Sequence, residues 1–188
     1  MGIPRRHQVL TLPGEEGIWI FVLGDLLMFS LLFSLYLYYR NFNVHLYNEA
    51  QHSLNKIVGA FNTILLLSSS LFVVFAVRAV RARDQRNSIR FLVLVIACGA
   101  GFVVSKVFEW GSKVGKGITL VTNDFFVYYF VLTGVHLLHV LIGIVLWIVF
   151  VISIRTGSAT AGIEVRATFW HLVDVIWVVL FAVVYLAK

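Results

Sequence analysis

Five uninterrupted apolar runs, at about 17–39, 57–79, 90–111, 126–153 and 168–187, constrain this chain more than anything else in it. A run near 20 residues is long enough to cross roughly 30 Å of hydrocarbon as an α-helix. Hydrocarbon offers the backbone no water, so a spanning segment satisfies itself as a helix or joins a closed barrel. Barrel strands alternate apolar and polar residues, and these runs do not. Hydrophobic residues supply 60% of the 188, well above the share in soluble domains. The predicted fold is therefore all-α: a polytopic membrane protein, a five-transmembrane-helix bundle forming one transmembrane domain over residues 1–188.

The net charge of +6 is concentrated in the connections. Arg78, Arg81, Arg83, Arg86 and Arg90 crowd the turn between the second and third runs. Arg5, Arg6, Arg155 and Arg166 fall on the same side, against Arg40, Lys56, Lys113, Lys116 and Lys188 on the other. The positive-inside rule then places the N-terminus in the cytoplasm and the C-terminus outside, as in a multi-pass protein of a bacterial-type inner membrane. Arginines so placed orient the chain and meet lipid headgroups; they do not form a nucleic-acid patch. The lone Cys98 lies within an apolar run and reads as a small packing residue. Residues 1–16 lack the apolar core of a cleavable signal.

The connections carry turn chemistry. LPGEEG (12–17) reads as a turn opening the first helix, and residues 40–56 as a polar outer loop with His45 and His52. GSKVGKGITLVTND (111–124) ends in an Asn-Asp cap, and RTGSATAGIEVR (155–166) is the last inner loop. Five spans without a repeat do not divide into two halves, against an inverted-repeat transporter.

The costly residues are the informative ones. Asp25, Lys106, Glu109, His136, His139, His171 and Asp174 all fall in or at the edge of apolar runs, where an unpaired charge costs several kcal/mol. Counting about 1.5 Å per residue from the basic ends of the runs gives approximate heights. By this count Glu109 and His136 share one level in the outer half, and Lys106 and His139 another. The expected pairs are Glu109 with His136 and Lys106 with His139. Alternatively, Lys106 and Glu109 pair with each other as i,i+3 neighbours. Asp25, Asp174 and His171 fall together in the inner half as a proton-sharing group. His136, His139, Gly143 and Trp147 form one stripe expected to face protein. Gly99, Gly101, Gly134 and Gly143 are expected to admit close helix contacts.

His136 and His139, with His171, invite a metal or haem reading. The counted heights separate His139 from His171, whereas zinc or iron ligands converge on one atom. The carboxylate-rich Glu-x-x-His sets of di-iron bundles are missing, as are phosphate-loop and nucleophile-elbow motifs. No metal site and no catalytic residue is expected.

FWHLVDVIW (169–177), YYFVLTGVHLLHVLIG (128–143), FNT (61–63) and SKVFEW (105–110) together closely resemble subunit III of haem-copper respiratory oxidases. Trp170, His171, Val173, Asp174 and Trp177 fit that family's last-helix motif. Thr133, Gly134, His136, His139, Val140 and Gly143 fit the motif of the helix before it, and Glu109 matches the glutamate ending the preceding helix. The likeness runs from about Gly14 to Leu186. Many family members have seven helices where this chain has the last five, and Asp25 stands where the family usually has glutamate. PGEEGIWIFVLGDLLMF resembles the short branch associated with nitric oxide reductases.

The resemblance implies a non-catalytic subunit of an aerobic terminal oxidase that reduces oxygen to water. It implies no redox cofactor in this chain, haem and copper in catalytic subunits I and II, and structural phospholipids bound at the subunit. Asp25, Glu109, His136, His139, His171 and Asp174 then become buried polar, proton-linked or lipid-anchoring residues. Trp170, Trp177, Thr133, Gly134 and Gly143 become packing residues. The alternatives are an accessory subunit of nitric oxide reductase, an independent proton or small-solute transporter, and a redox enzyme in its own right.

Overall fold

The computed structural model describes residues 16–157 and 162–187; Arg5, Arg6, Glu15 and Lys188, to which the sequence assigns roles, lie outside them. The helices are α1 (Glu16–Phe42), α2 (Val44–His52), α3 (Lys56–Arg81), α4 (Gln85–Val114), α5 (Asp124–Arg155) and α6 (Ile163–Phe181), with a π-helical turn at Ala182–Leu186. Five of them are long and apolar enough to cross a membrane: Gly17–Phe42, Lys56–Arg81, Gln85–Val114, Asp124–Arg155 and Ile163–Leu186. No strand occurs among the described residues. The fold is all-α, with the expected five spans.

Polar side chains set the helix starts. Asn55 accepts from Ile57 N (3.0 Å) and Val58 N (3.3 Å) at the head of α3. Asp84 accepts from Asn87 N (3.1 Å) at α4, and Asn123 from Phe126 N (3.1 Å) at α5. Each satisfies donors that the first helical turn leaves without intrahelical partners. The tight turn between α3 and α4 runs through Arg83 at φ +56°, a left-handed conformation rare for a residue with a Cβ.

Residues 40–56 are not a plain polar loop. Val44–His52 is helical because Tyr47, Ala50, Gln51 and Leu54 recur at helical spacing and are all buried. Tyr47 packs edge-on against Tyr36 of α1 and Phe125 of α5. The loop is pinned further by Gln51 Nε2, donating to Val184 O (3.0 Å), and Arg40, donating to Ala187 O (3.1 Å). The polar composition that suggested a loop belongs to the solvent side of this short helix.

α6 lies at the centre, touching α1, α3 and α5, while α3 and α4 make the most extensive pair. α1 inserts only a narrow stripe of Val22, Phe29 and Tyr36, leaving Ile20, Leu23, Leu27 and Leu31 exposed. Against lipid such exposure carries no hydrophobic penalty, so helix association depends on packing and polar contacts.

Candidate functional site

The buried polar side chains form separate clusters rather than one site. The largest joins α4, α5 and the π-helical turn. Lys106 is 0% exposed, and its ammonium donates to Glu109 Oε2 (2.8 Å) and Tyr185 Oη (2.9 Å). Tyr185 donates to Glu109 Oε1 (2.9 Å), so both carboxylate oxygens are engaged. The ammonium also lies 5.2 Å from the ring centres of Tyr129 and Trp177, an aromatic cage of the kind that holds desolvated cations. Of the two arrangements expected for these residues, the i,i+3 pair is the one present.

His136 and His139 have other partners than those expected. His136 is fully buried with Nε2 3.1 Å from Val173 O, wedged against the rings of Phe102 and Trp177. His139 Nε2 lies 3.3 Å from Asp25 Oδ2, and its Nδ1 is 2.8 Å from Val135 O. The expected Glu109–His136 and Lys106–His139 pairs are thus absent, and Asp25 is not grouped with Asp174. The cause is the assumption that all helices start in one plane. His136, 19 residues before Arg155, meets the carbonyl of Val173, only 7 residues past Arg166, so the Arg166 end of α6 starts well inside the Arg155 end of α5.

On the other flank of α6, the motif residues face α3. Trp170 Nε1 donates to Ser69 Oγ (2.9 Å), and Trp177 Nε1 to Thr63 Oγ1 (3.0 Å). Between them, Ser70 Oγ is 2.6 Å from His171 Nδ1. Asp174 is 3% exposed, with no ion pair among the described residues; its polar neighbour is the Ser70 hydroxyl, which is itself bonded to His171. Asn62 on α3 is equally buried, with its amide unpartnered.

Small residues make this packing possible. A Cβ on Gly143 would sit 2.6 Å from the Trp170 ring, and one on Gly99 would sit 3.0 Å from it, so the indole occupies space that side chains would fill. Gly101 and Gly134 would meet only ordinary contacts, with Leu65 and Trp110 at 3.5 Å. Thr133 bonds back to Tyr129 O (2.6 Å) within α5. The stripe of His136, His139, Gly143 and Trp147 is buried throughout. Among the described residues no three His, Cys, Asp or Glu side chains gather as a metal site: His136, His139 and His171 each serve a different contact.

The family model for cytochrome c oxidase subunit III matches residues 7–188. The chain belongs to the cytochrome c oxidase subunit III family. It is 35% identical over 176 residues to cytochrome c oxidase subunit 3 of Thermostichus vulcanus, covering 90% of this chain and 85% of that relative. It is 30% identical over 175 residues to the cytochrome bo(3) ubiquinol oxidase subunit 3 of Buchnera aphidicola, covering 90% and 84%. With cytochrome c oxidase subunit 3 of Corynebacterium diphtheriae, identity is 31% over 194 residues, covering 98% and 94%. Relatives of comparable length thus match this subunit III chain nearly end to end.

The two histidine-bearing motifs of this subunit III chain interlock physically: Gly143 of one accommodates Trp170 of the other, and His136 reaches the carbonyl of Val173. The polar partners on α3 were not anticipated. Ser69 and Ser70 lie in LLLSSSLF (65–72), a hydroxyl run inside an apolar span, and that was the available signal. Tyr129 and Tyr185 gave less, because a tyrosine near a span end reads equally as an interfacial anchor.

Proposed function

We propose that this chain, as the subunit III component of a haem-copper oxidase, is a non-catalytic brace that stabilises the catalytic subunit and holds structural phospholipid. One observation carries the reading. Most of the buried polar groups join one element to another (Lys106 and Glu109 of α4 to Tyr185, Asp25 to His139, Trp170 to Ser69, Trp177 to Thr63) and do not converge on one reacting centre. In this reading haem and copper belong to partner subunits I and II, and the chain carries no cofactor of its own. It sits in a bacterial-type inner membrane with its N-terminus cytoplasmic and its C-terminus outside. The relatives cited are cytochrome c and quinol oxidase subunits, which favours an oxidase partner over nitric oxide reductase. The test is purification of the oxidase with and without this chain. Unchanged haem and copper content, with a lower melting temperature and less bound phospholipid when it is missing, is the expected result. Loss of haem in proportion to the chain would overturn the reading.

Asp174 supports a second role. A buried carboxyl with no ion pair among the described residues, and with a Ser70 hydroxyl already bonded to His171 as its polar neighbour, adds little to a brace, which favours an influence on proton uptake by the catalytic subunit. Asp174→Asn keeps size and polarity while removing the titratable group. Normal assembly with reduced turnover supports proton influence; normal assembly with normal turnover refutes it.

A further inference from the structure

A cleft of about 760 Å³ opens between the start of α3 and the end of α4, at the end of the bundle that carries α2. Three ammonium groups, Lys56, Lys113 and Lys116, line it, with Glu109 as the lone carboxylate. That carboxylate is already engaged by Lys106 and Tyr185, so the lining carries an uncompensated positive charge.

Lys113 is the decisive residue. It is only 6% exposed, yet no carboxylate lies within ion-pair distance of it among the described residues. Its ammonium has one carbonyl, Ser53 O at 3.3 Å, and lies 5.7 and 5.6 Å from the centres of the Phe126 and Tyr129 rings. Glu109, one turn earlier on α4, is the carboxylate that acts on it, and its oxygens are already bonded to Lys106 and Tyr185. A buried cation so incompletely compensated is costly, and the open side of the cleft is where an anion would relieve it. Lys56 and Lys116 face the same space without ion pairs of their own among the described residues. The first turn of α3, positive by its dipole, also contributes Ile57 and Val58 to the lining.

Beside the cations the cleft has an apolar lining. Ile57 is 81% exposed and Phe108 is 75% exposed, on two helices long and apolar enough to cross a membrane. Lysines at the end of a span above exposed apolar side chains match the two ends of a phospholipid: a phosphate at headgroup level and an acyl chain along the helices.

We propose that this cleft binds one anionic phospholipid, its phosphate held by Lys113, Lys116 and Lys56 and an acyl chain lying along Ile57 and Phe108. The site deepens the lipid-holding part of the proposed function by giving it a place and a headgroup charge. It accounts for a lysine buried at a helix end where the carboxylate acting on it, Glu109, is already bonded to Lys106 and Tyr185.

The test uses the intact oxidase complex, stripped of loosely held lipid in mild detergent and re-equilibrated with phosphatidylglycerol, phosphatidylcholine or inorganic phosphate. Lipid retained per complex is read by native mass spectrometry, with subunit content and turnover measured on the same sample. Wild type is expected to retain one phosphatidylglycerol in preference to phosphatidylcholine, with no displacement by millimolar inorganic phosphate. Lys113→Gln/Lys116→Gln should weaken retention by about 25-fold, at about fivefold per surface-level cation removed. Lys56→Gln, a milder change at the helix start, should weaken it about fivefold and keeps the test decisive if the double variant fails to assemble. Equal retention in Lys56→Gln and wild type, or no preference for the anionic lipid, overturns the site while leaving the subunit's bracing role intact. Displacement by inorganic phosphate would assign the cations to a free anion and overturn the lipid. Loss of the subunit from wild-type complexes on stripping, with catalytic subunit stability unaffected, counts instead against the bracing role.

Discussion

Replacing Glu109 by glutamine is the sharpest perturbation of the bundle's interior. The substitution keeps an acceptor for Tyr185 but removes the carboxylate that neutralises Lys106, a side chain with no exposure at all. Breaking a buried pair from one side costs about 3–5 kcal/mol, because the remaining charge is stranded. In a chain of this size about 1 kcal/mol moves the melting midpoint by about 2–4 °C, so a fall of about 6–20 °C is expected. Lys106→Met/Glu109→Gln removes the stranded charge as well, and its cost should shrink to about 1–2 kcal/mol, mostly the lost bond between Tyr185 and the ammonium. The double variant should then be about 2–3 kcal/mol more stable than Glu109→Gln alone. Circular-dichroism melting of the purified chain in one mild detergent, at fixed concentration, measures all four states. A Glu109→Gln midpoint within about 2 °C of wild type, or a double variant melting below both singles, would refute the view that this cluster is a charged fastener.

Gly143→Ala would drive a Cβ to 2.6 Å from the Trp170 ring, an overpacking that should cost about 1–3 kcal/mol by the same melting assay. Ser70→Ala removes the 2.6 Å partner of His171 and should cost about 1–3 kcal/mol if that nitrogen is left unsatisfied; Ser70→Thr should retain most of the stability. At the start of α4, hydrogen bonds from the Asn87 backbone and side chain hold the Asp84 carboxyl below its ordinary value. A lowered folded-state pKa contributes stability above the ordinary carboxylate range and loses it as pH falls through the lowered value. The protection of the Asn87 amide, its exchange rate relative to the unfolded chain at the same pH, should therefore be high near neutral pH and fall below about pH 3.8, the ordinary value for aspartate; Asp84→Ala should show little protection at both.

The spans were legible because continuous apolar runs of that length have one outcome in a membrane, and the cap at Asn123 follows from a side chain that reaches the first turn. α2 was hidden because its buried apolar face is only Tyr47 and Ala50, too short to stand out from the polar residues around them. Lys106 and Glu109 could be paired from spacing alone, since i,i+3 neighbours share a face whatever the tertiary arrangement. The partners of His136 and His139 could not, because they depend on how far each helix starts from its neighbour's end, and sequence does not record that offset. Tyr185 depends in addition on the π-helical turn at Ala182–Leu186, which alters the register at the end of α6. Trp170 and Trp177 were assigned to packing by resemblance; the space left by Gly99 and Gly143 and the hydroxyls of Ser69 and Thr63 give that packing its physical content.

The most direct measurement is the composition of what this chain brings with it. An affinity-tagged chain, extracted from its own membranes in mild detergent, should carry a haem-binding catalytic subunit, and the dissociated chain should show no haem absorption and no stoichiometric copper. A chain that isolates alone and holds its own haem or copper, or that moves protons by itself in liposomes, would contradict the account.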